Sequence, residues 1–352
     1  MKIAVGLSGG VDSAVAAFLL KEQGHEVVGA IMTLWKDDYK KSVKGNACFG
    51  PDEKEDIEEV QRICDFLKID FHQINCSEEY EKKVLSNFNN EYIAGRTPNP
   101  CVLCNNNIKF GTLPELLFAS GMKFEKFATG HYVNVEYDPV SDIYLLKKGM
   151  DKKKDQSYFL YRLSQKQLSR SIFPLGGLTK KDVRKIAKKA NIPVHEKPES
   201  QDFYSGDYSD LIKAKPMNGD FINLKGEKIG SHKGIWKYTI GQRKGLGISA
   251  PAPYYVIAID AKRNQITLGS KEDLLSKGLI AEDINILVKT LPEKAKAKIR
   301  STATEMDCSV KVSDNDMEIV FNEMQSAITP GQSVVLYENN TVLAGGIIKT
   351  SF

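Results

Sequence analysis

Apolar and polar positions follow two different patterns along this chain of 352 residues. Up to about residue 205, short apolar runs alternate with segments whose apolar residues recur at helical spacing. The runs at 2–7, 27–32, 71–74 and 124–129 predict strands, and the segments at 14–20, 52–67 and 77–93, with another after Cys104, predict helices. Strands that alternate with helices predict a doubly wound α/β domain with a mostly parallel sheet, which binds ligands beyond the carboxyl ends of its strands.

After about residue 205 the helical spacing disappears. Short apolar runs are separated by Gly, Asn and Pro, at 254–259, 265–268, 297–300, 309–312, 333–337 and 342–349. This pattern predicts two small, mainly β domains, the last of them a β-barrel. The predicted domains are therefore residues 1–205, 206–280 and 281–352.

Composition narrows the class of protein. Hydrophobic residues make up 41% and charged residues 27%, as in soluble globular proteins. No apolar run reaches the roughly 18 residues of a membrane span, so we expect no membrane partner. The first residues read as a buried strand that enters a loop, rather than as a signal peptide. Six cysteines without an export signal predict reduced thiols and a cytoplasmic location.

Positive charge is concentrated in one stretch, which we call the basic segment (147–189). It holds 14 Lys and Arg against 3 Asp, whereas the whole chain has a net charge of only +4. Such a block is typical of a surface that binds a polyanion. The alternative is a well-solvated helical surface without a partner.

Residues 8–13, Ser-Gly-Gly-Val-Asp-Ser, lie between the first predicted strand and the first predicted helix. Two glycines allow a tight turn whose N–H groups point at an anion, and the helix N-terminus adds its positive dipole end. The alternative is a glycine-rich turn in which Ser13 caps the helix. The chain has no GxxxxGK[ST] sequence, so this loop is not the phosphate loop of kinases and GTPases.

A Cys-x-x-Cys pair, Cys101 and Cys104, follows two prolines in the stretch 96–105. The prolines prevent a helix before Pro100, whereas the residues after it can continue as one. Cys104 would then lie near a helix N-terminus, which favours a reactive thiolate. The pair alone is compatible with half a zinc site, a redox pair or two cluster ligands. The remaining cysteines supply no second Cys-x-x-Cys: Cys48, Cys64, Cys76 and Cys308.

The loop at 8–13 resembles the pyrophosphate loop of N-type ATP pyrophosphatases, which are HUP-type α/β domains. Nearly the whole chain resembles the bacterial tRNA-specific 2-thiouridylases, a family of tRNA-uridine 2-sulfurtransferases. The segments that carry this resemblance are GLSGGVDS (6–13), RTPNP with LCN (96–105), ATGHY (128–132), KDQSYFLY (154–161), PLGGLTKKDVRKIA (174–187), TIGQRKGLGI (239–248) and TPGQS (329–333).

The resemblance implies ATP-dependent 2-thiolation of the wobble uridine of tRNA, in which ATP adenylates the C2 oxygen and sulfur then replaces it. A cysteine desulfurase or a sulfur-relay protein would donate the sulfur. A carboxylate beside phosphates suits Mg²⁺, so Asp12 is the expected ligand of that ion. The expected ATP contacts are Gly6, Leu7, Ser8, Gly9, Gly10, Val11, Asp12, Ser13, Met32 and Gly130.

The resemblance also implies a set of tRNA contacts. Asn99, Pro100 and Cys101 would border the flipped target base, and Cys104 would handle sulfur. The chain departs from the family at position 301, where Ser301 replaces the aromatic residue that usually follows Arg300. The other expected tRNA contacts are His131, Lys154, Asp155, Gln156, Arg300 and Gln332.

Two departures concern the sulfur chemistry. Cys101 stands where most members have Asp, and Tyr204 stands where the second catalytic cysteine is expected, with no cysteine between 104 and 308. Either Cys101 and Cys104 form a persulfide and resolving pair, or both are ligands of a [4Fe–4S] cluster with Cys48 as the third. We favour the cluster, because Cys101 replaces a carboxylate that could itself serve as a weaker ligand.

Two other functions fit part of these observations. One is a different adenylating tRNA thiolase, which would share the loop at 8–13. The other is a nucleotide-dependent tRNA-binding homologue that has lost catalysis, which the missing second cysteine would explain. Both cysteines of the Cys-x-x-Cys pair are present, which favours an active enzyme.

If the basic segment binds tRNA phosphates, replacing Lys152, Lys153 and Lys154 together should weaken tRNA binding. The slope of log affinity against log salt concentration should also become less steep, because fewer counterions are released on binding. Filter binding over a series of salt concentrations measures both quantities. An unchanged slope would assign these lysines to the solvated surface.

Overall fold

The computed structural model describes residues 1–35, 48–50, 53–197, 203–204 and 206–352. Its first domain is built on a five-stranded parallel sheet in the order β3-β2-β1-β4-β7. The predicted doubly wound α/β domain is therefore confirmed. Its strands are β1 (Lys2–Gly6), β2 (Glu26–Thr33), β3 (Asp70–Asn75), β4 (Lys126–Thr129) and β7 (Ser171–Ile172).

Helices pack on both faces of this sheet. The first, α1, is buried along most of its length, and its Ala14–Ala17 stretch has no exposed surface. Small side chains there let the helix lie close to the strands. The helices outside the cysteine region are α1 (Val11–Glu22), α2 (Glu53–Leu67), α3 (Ser77–Tyr80), a π-helical turn (Glu81–Leu85), α4 (Ser86–Ile93), α7 (Gln165–Arg170) and α8 (Lys180–Lys189).

The helix predicted after Cys104 begins earlier, at Pro100, and is widened in its middle. It comprises α5 (Pro100–Leu103), a π-helical stretch (Cys104–Thr112) and α6 (Leu113–Ala119). In the wide part, the Thr112 hydroxyl donates to the carbonyl of Asn107 at 3.0 Å. Widened turns of this kind recur at functional sites, because they change the direction of side chains along one helix.

The central domain is a four-stranded sheet in the order β10-β11-β8-β9. Strands β8 and β11 pair in parallel, and the other neighbours are antiparallel. The strands are β8 (Gly219–Ile222), β9 (Lys228–His232), β10 (Tyr255–Asp260) and β11 (Gln265–Gly269). Short 3₁₀ turns in the chain cover Ser157–Phe159, Tyr208–Asp210, Ile235–Lys237 and Glu272–Leu274.

The last domain is a closed antiparallel barrel, as predicted. Strands run in the order β12-β15-β14-β13-β16-β17, and β17 pairs back with β12 to close the ring. Strand β12 spans the predicted boundary at residue 280. The strands are β12 (Leu275–Ile286), β13 (Lys294–Lys298), β14 (Met306–Ser313), β15 (Asp316–Ser326), β16 (Ser333–Glu338) and β17 (Thr341–Ser351).

A hairpin of the first domain joins the barrel, which the sequence pattern did not reveal. It consists of β5 (Val133–Asp138) and β6 (Ile143–Lys148), and Lys147 pairs with Thr341 of β17. Nearby, the fully buried Tyr161 packs against Gly345, where an added Cβ would lie 2.3 Å from the ring. The two domains therefore share one packed interface. Among the described residues, no helix has both the length and the apolar character needed to cross a membrane.

Candidate active site

The loop at residues 8–13 lies at the carboxyl edge of the parallel sheet and bends back on itself. Ser13 Oγ accepts a hydrogen bond from the Ser8 backbone N–H at 3.2 Å and donates to the Gly10 carbonyl at 3.2 Å. Gly9 has φ +69°, which glycine adopts without strain, and Gly10 is the N-cap of α1. Because no side chain caps α1, its first N–H groups are available to an anion.

Gly130 packs directly against this loop from the neighbouring strand. A Cβ there would lie 2.6 Å from the Ser13 nitrogen and 2.7 Å from the Asp12 carbonyl carbon, so glycine is required. Met32 lies two residues beyond Ala30, which pairs with Gly6, and so it also lies near the carboxyl edge. The predicted ATP-contacting residues therefore gather at one edge of the sheet.

The Asp12 carboxylate, the expected Mg²⁺ ligand, is held by two partners. Lys180 Nζ lies 2.7 Å from each of its oxygens, and the Tyr132 hydroxyl donates to Oδ1 at 2.7 Å. Lys180 opens α8, in the basic segment. Sequence reasoning placed both partners within family-like motifs, at 128–132 and 174–187, but gave neither of them a role.

A second charged group lies beside the turn at Gly9. Asp56 and Glu59 on α2 are both within 3.4 Å of where a Cβ on Gly9 would lie, and both are ion-paired with Lys197. The Lys197 cation is needed there, since two unpaired carboxylates would repel phosphate groups at this loop.

The two cysteines of the Cys-x-x-Cys pair lie at the start of the widened helix. Asn99 is the N-cap, and its side-chain oxygen accepts from the Val102 N–H at 3.4 Å. Cys101 and Cys104 are half-buried thiols one helical turn apart. The helix begins at Pro100, so Cys104 lies one turn inside it. The expectation that the helix N-terminus favours a thiolate at Cys104 is wrong, because burial raises the pKa of this thiol.

The charge of Lys109 acts on both thiols. Burial raises the pKa of Cys104 to about 11, and the Lys109 ammonium opposes this rise. The thiols of Cys48 and Cys76 raise it slightly further. Burial by itself would lower the pKa of Lys109. The nearby thiols have a larger, opposite effect, so the pKa of Lys109 is raised; these thiols belong to Cys104, Cys48 and Cys101. Sequence reasoning missed Lys109, because its position relative to the thiols depends on the π-helical turn.

His131 connects the loop at 8–13 with the cysteine helix. It follows Gly130, and its ring lies 5.8 Å from the ring of Phe110 in the π-helical stretch. Its Nδ1 shares a 2.8 Å hydrogen bond with the Thr129 hydroxyl. Burial and then the Lys109 charge lower its pKa to about 3, so the imidazole is neutral.

Residues from the two other domains hold the cysteine loop in place. Gln332 Nε2 in the barrel donates to the carbonyls of Thr97 at 2.9 Å and Pro98 at 3.2 Å. The Thr97 N–H donates to the Pro330 carbonyl at 2.9 Å, and its hydroxyl lies 3.2 Å from that of Thr239 in the central domain. We name these contacts the loop clamp.

Three family models match the chain in succession. They describe a tRNA methyl transferase HUP domain over residues 1–204, a tRNA methyl transferase PRC-barrel domain over 210–270 and an aminomethyltransferase β-barrel domain over 276–348. The tRNA-specific 2-thiouridylase MnmA of Endomicrobium trichonymphae is 49% identical over 99% of both chains. MnmA 2 of Thermoanaerobacter sp. strain X514 is 45% identical, over 99% of this chain and 98% of that relative.

The chain belongs to the MnmA family of tRNA-specific 2-thiouridylases. The MnmA protein of Clostridioides difficile is 43% identical, over 99% of this chain and 98% of that protein. Among solved structures, a 4-thiouridine synthetase–RNA complex with bound ATP matches 60% of this chain and 45% of that chain, at 16% identity and a TM-score of 0.37. This last likeness is too distant to carry an argument.

Tyr204 fills the place of the expected second MnmA cysteine with a buried ring. It packs with Phe49 and Phe203, its ring centroid 6.3 Å from each, and the Phe49 N–H donates to the Phe203 carbonyl at 3.0 Å. This contact brings exposed Cys48 next to the Tyr204 segment. The rest of the 200–204 stretch, residues 200–202, lies outside the described residues.

The predicted cluster site is not supported by the side-chain arrangement. In the part of the chain that the structure describes, no group of three or more His, Cys, Asp or Glu side chains could hold a metal ion. Cys48 raises the pKa of Cys104, and all three thiols act on the charge of Lys109, but they form no group that could hold a metal ion. The half-buried pair of Cys101 and Cys104 remains as the candidate for sulfur chemistry.

Most of the residues expected to contact tRNA already make contacts within the protein. Asp155 accepts from the Gly149 and Ser157 N–H groups, and Gln156 accepts from the Tyr132 N–H at 2.9 Å. Arg300 donates to the Thr329 hydroxyl at 2.6 Å and to the carbonyl oxygens of two other residues, Ala327 at 2.8 Å and Ile240 at 3.4 Å. These side chains order the surface, and their role towards tRNA stays a prediction.

Replacing Lys109 with Met should slow alkylation of Cys104. Without the ammonium, the pKa of Cys104 rises further above 11, so the thiolate fraction at pH 8 to 9 falls, by roughly threefold to tenfold. The rate should rise with pH in both proteins, but at a higher pH in the variant. Iodoacetamide labelling, followed on the Cys104 peptide by mass spectrometry, measures this.

The matched control is Lys83→Met. Lys83 lies in the neighbouring π-helical turn and pairs with Glu79 at 2.7 Å rather than with the thiols. Its variant should label Cys104 at the wild-type rate. Superimposable pH profiles for Lys109→Met and wild type would show that Lys109 does not act on the thiol.

Proposed function

We propose that this chain is an ATP-dependent tRNA-uridine 2-sulfurtransferase that thiolates the wobble uridine in the cytoplasm. The observation that carries the proposal is the continuity of the site. Gly130 touches the anion-binding loop, and the next residue, His131, packs on the helix that bears Cys101 and Cys104. A nucleotide at the loop and sulfur at the cysteines would therefore meet at one target base.

The first step activates the base. The uridine C2 oxygen attacks the α-phosphorus of ATP, the bond from that phosphorus to the bridging oxygen of the β-phosphate breaks, and pyrophosphate leaves with the electron pair. The N–H groups of residues 8–13 would bind the phosphates, and Asp12 would hold Mg²⁺, which neutralises the charge of the leaving group. The C2 oxygen then leaves with AMP rather than as hydroxide.

The second step transfers sulfur. A cysteine desulfurase or relay protein, acting as persulfide donor, passes its terminal sulfur to the Cys104 thiolate. That sulfur attacks C2, the C2–O bond breaks, and AMP leaves with the electron pair. Cys101 thiolate then attacks Cys104 Sγ, which forms a disulfide and releases the 2-thiouridine with both electrons of the former S–S bond. A cellular dithiol reduces the disulfide for the next cycle.

The tRNA must present its base out of the anticodon stack. The basic segment would bind phosphates, with Lys154, Asp155 and Gln156 at its surface. Asn99 and Pro100 would border the base, positioned by the loop clamp, and Gln332 and Arg300 would extend the surface to the barrel. Neutral His131 would act as a hydrogen-bonding group rather than as a counter-ion for phosphate.

Anaerobically purified enzyme tests the sulfur step. With a persulfide donor, ATP, Mg²⁺ and a tRNA transcript, iron-free wild type should form 2-thiouridine, whereas Cys104→Ser should form none. Cys101→Ser should leave the tRNA joined to the enzyme, because no neighbouring thiolate cleaves the S–S bond between Cys104 and the sulfur on C2. Cys308→Ser is the matched control, since that thiol is buried in the barrel and should not affect the reaction.

Two results would contradict this account. Activity that requires about four irons per chain and is lost in Cys48→Ser would establish the cluster mechanism instead. Wild type that binds ATP and tRNA without any thiolation would favour the catalytically inactive homologue.

A further inference from the structure

Two carboxylates pack directly against the turn of the loop at 8–13. Glu59 Oε2 lies 3.1 Å from where a Cβ on Gly9 would stand, and Asp56 Oδ1 lies 3.3 Å from the same point. Both side chains come from α2, three residues apart and so on one face of that helix. Because Gly9 belongs to an anion-binding loop, two negative charges at this distance oppose the binding of phosphate.

Lys197 supplies one ammonium to both carboxylates. Its Nζ lies 3.0 Å from Asp56 Oδ1 and also contacts Glu59 Oε2, and these are the same two oxygens that face Gly9. The side chains of Lys197 and Glu59 are each only 20% exposed, so water screens their charges weakly. Arg62 lies 3.9 Å from Glu59, but its side chain is 65% exposed and its charge is largely screened. Compensation of the carboxylates therefore depends chiefly on Lys197.

The backbone that carries Lys197 is ordered by α8. Arg184 of that helix donates through Nη1 to the His195 carbonyl at 3.1 Å and through Nη2 to the Lys197 carbonyl at 3.4 Å. The Lys197 N–H in turn donates to the Val194 carbonyl at 3.0 Å, and the Val194 side chain is buried. These contacts hold the ammonium at the carboxylates of α2.

We propose that Lys197 is a positioning residue of the nucleotide site, which allows the loop at 8–13 to bind phosphate by neutralising Asp56 and Glu59. It acts through the two carboxylates rather than through a contact with the nucleotide. The effect is electrostatic, so removing the carboxylate charges by another route should replace it. This inference rests on the proposed function, because it requires that the loop binds the phosphates of ATP.

Calorimetric titration with ATP and with inorganic pyrophosphate, each in the presence of Mg²⁺, tests the inference. Lys197→Met should weaken both ligands by roughly tenfold to a hundredfold, as expected for one uncompensated charge a few ångströms from phosphate. The loss should become smaller as the salt concentration rises, because salt screens the exposed carboxylates. Lys2→Met is the control, since Lys2 pairs with Glu26 in the same domain and should alter neither affinity.

A triple variant separates charge compensation from a purely structural bridge. When Lys197→Met is combined with Asp56→Asn and Glu59→Gln, the bridge stays broken but the carboxylate charges are gone, so both affinities should return close to the wild-type values. Should Lys197→Met fail to fold in thermal unfolding, Lys197→Gln keeps a hydrogen bond to the carboxylates without the charge, and the same loss and rescue are expected.

Two results would overturn the inference alone. One is wild-type affinity for pyrophosphate in both single Lys197 variants. The other is a loss that persists in the triple variant and does not change with salt, which would show that Lys197 only bridges α2 mechanically. If wild type binds neither ATP nor pyrophosphate, the proposed function fails as well.

Discussion

The position of the cysteine loop depends on hydrogen bonds from outside its own domain. Pro98 and Pro100 have no N–H group, so the loop cannot stabilise itself through its own backbone at these positions. Its carbonyl groups at Thr97 and Pro98 are instead satisfied by Gln332, a residue 235 positions later than Thr97. The barrel therefore fixes the segment that leads into the helix with Cys101 and Cys104.

This constraint explains why the three domains act as a unit. The β5–β6 hairpin extends the barrel, Tyr161 fills the space above Gly345, and Arg300 connects the barrel to the carbonyl of Ile240 in the central domain. The cysteine loop lies where these connections meet. A change in the barrel core would thus alter the position of the cysteines through contacts with the backbone of the cysteine loop, rather than through the sheet of the first domain.

The sequence was most informative where a short segment determines its own geometry. The loop at 8–13, the alternation of strands and helices, and the prolines before Cys101 each have a local physical reason, and the structure bears them out. The partners of Asp12 were not predictable, because Lys180 and Tyr132 are distant in sequence and meet only through the sheet topology. The same holds for Lys109, whose reach to the thiols depends on a π-helical turn with no clear sequence signal.

Cys48, the predicted third cluster ligand, shows what could not be predicted from the sequence. Cys48 was predicted as a ligand because it is a cysteine in a predicted loop. It does lie near enough to raise the pKa of Cys104. An electrostatic interaction between Cys48 and Cys104 does not make them ligands of one metal ion, and the described side chains form no metal-binding group. Spacing along the chain cannot distinguish these two cases, since ligation requires three thiols to point at a common centre.

The central claim is that this chain thiolates uridine in tRNA, and nucleoside mass spectrometry of tRNA tests it most directly. In a strain that lacks the gene, 2-thiouridine derivatives at the wobble position should be absent. They should return with the wild-type gene and not with the Cys104→Ser variant, which has no thiol at this position to carry sulfur. Unchanged 2-thiouridine in the deletion strain, or full recovery with Cys104→Ser, would contradict the account.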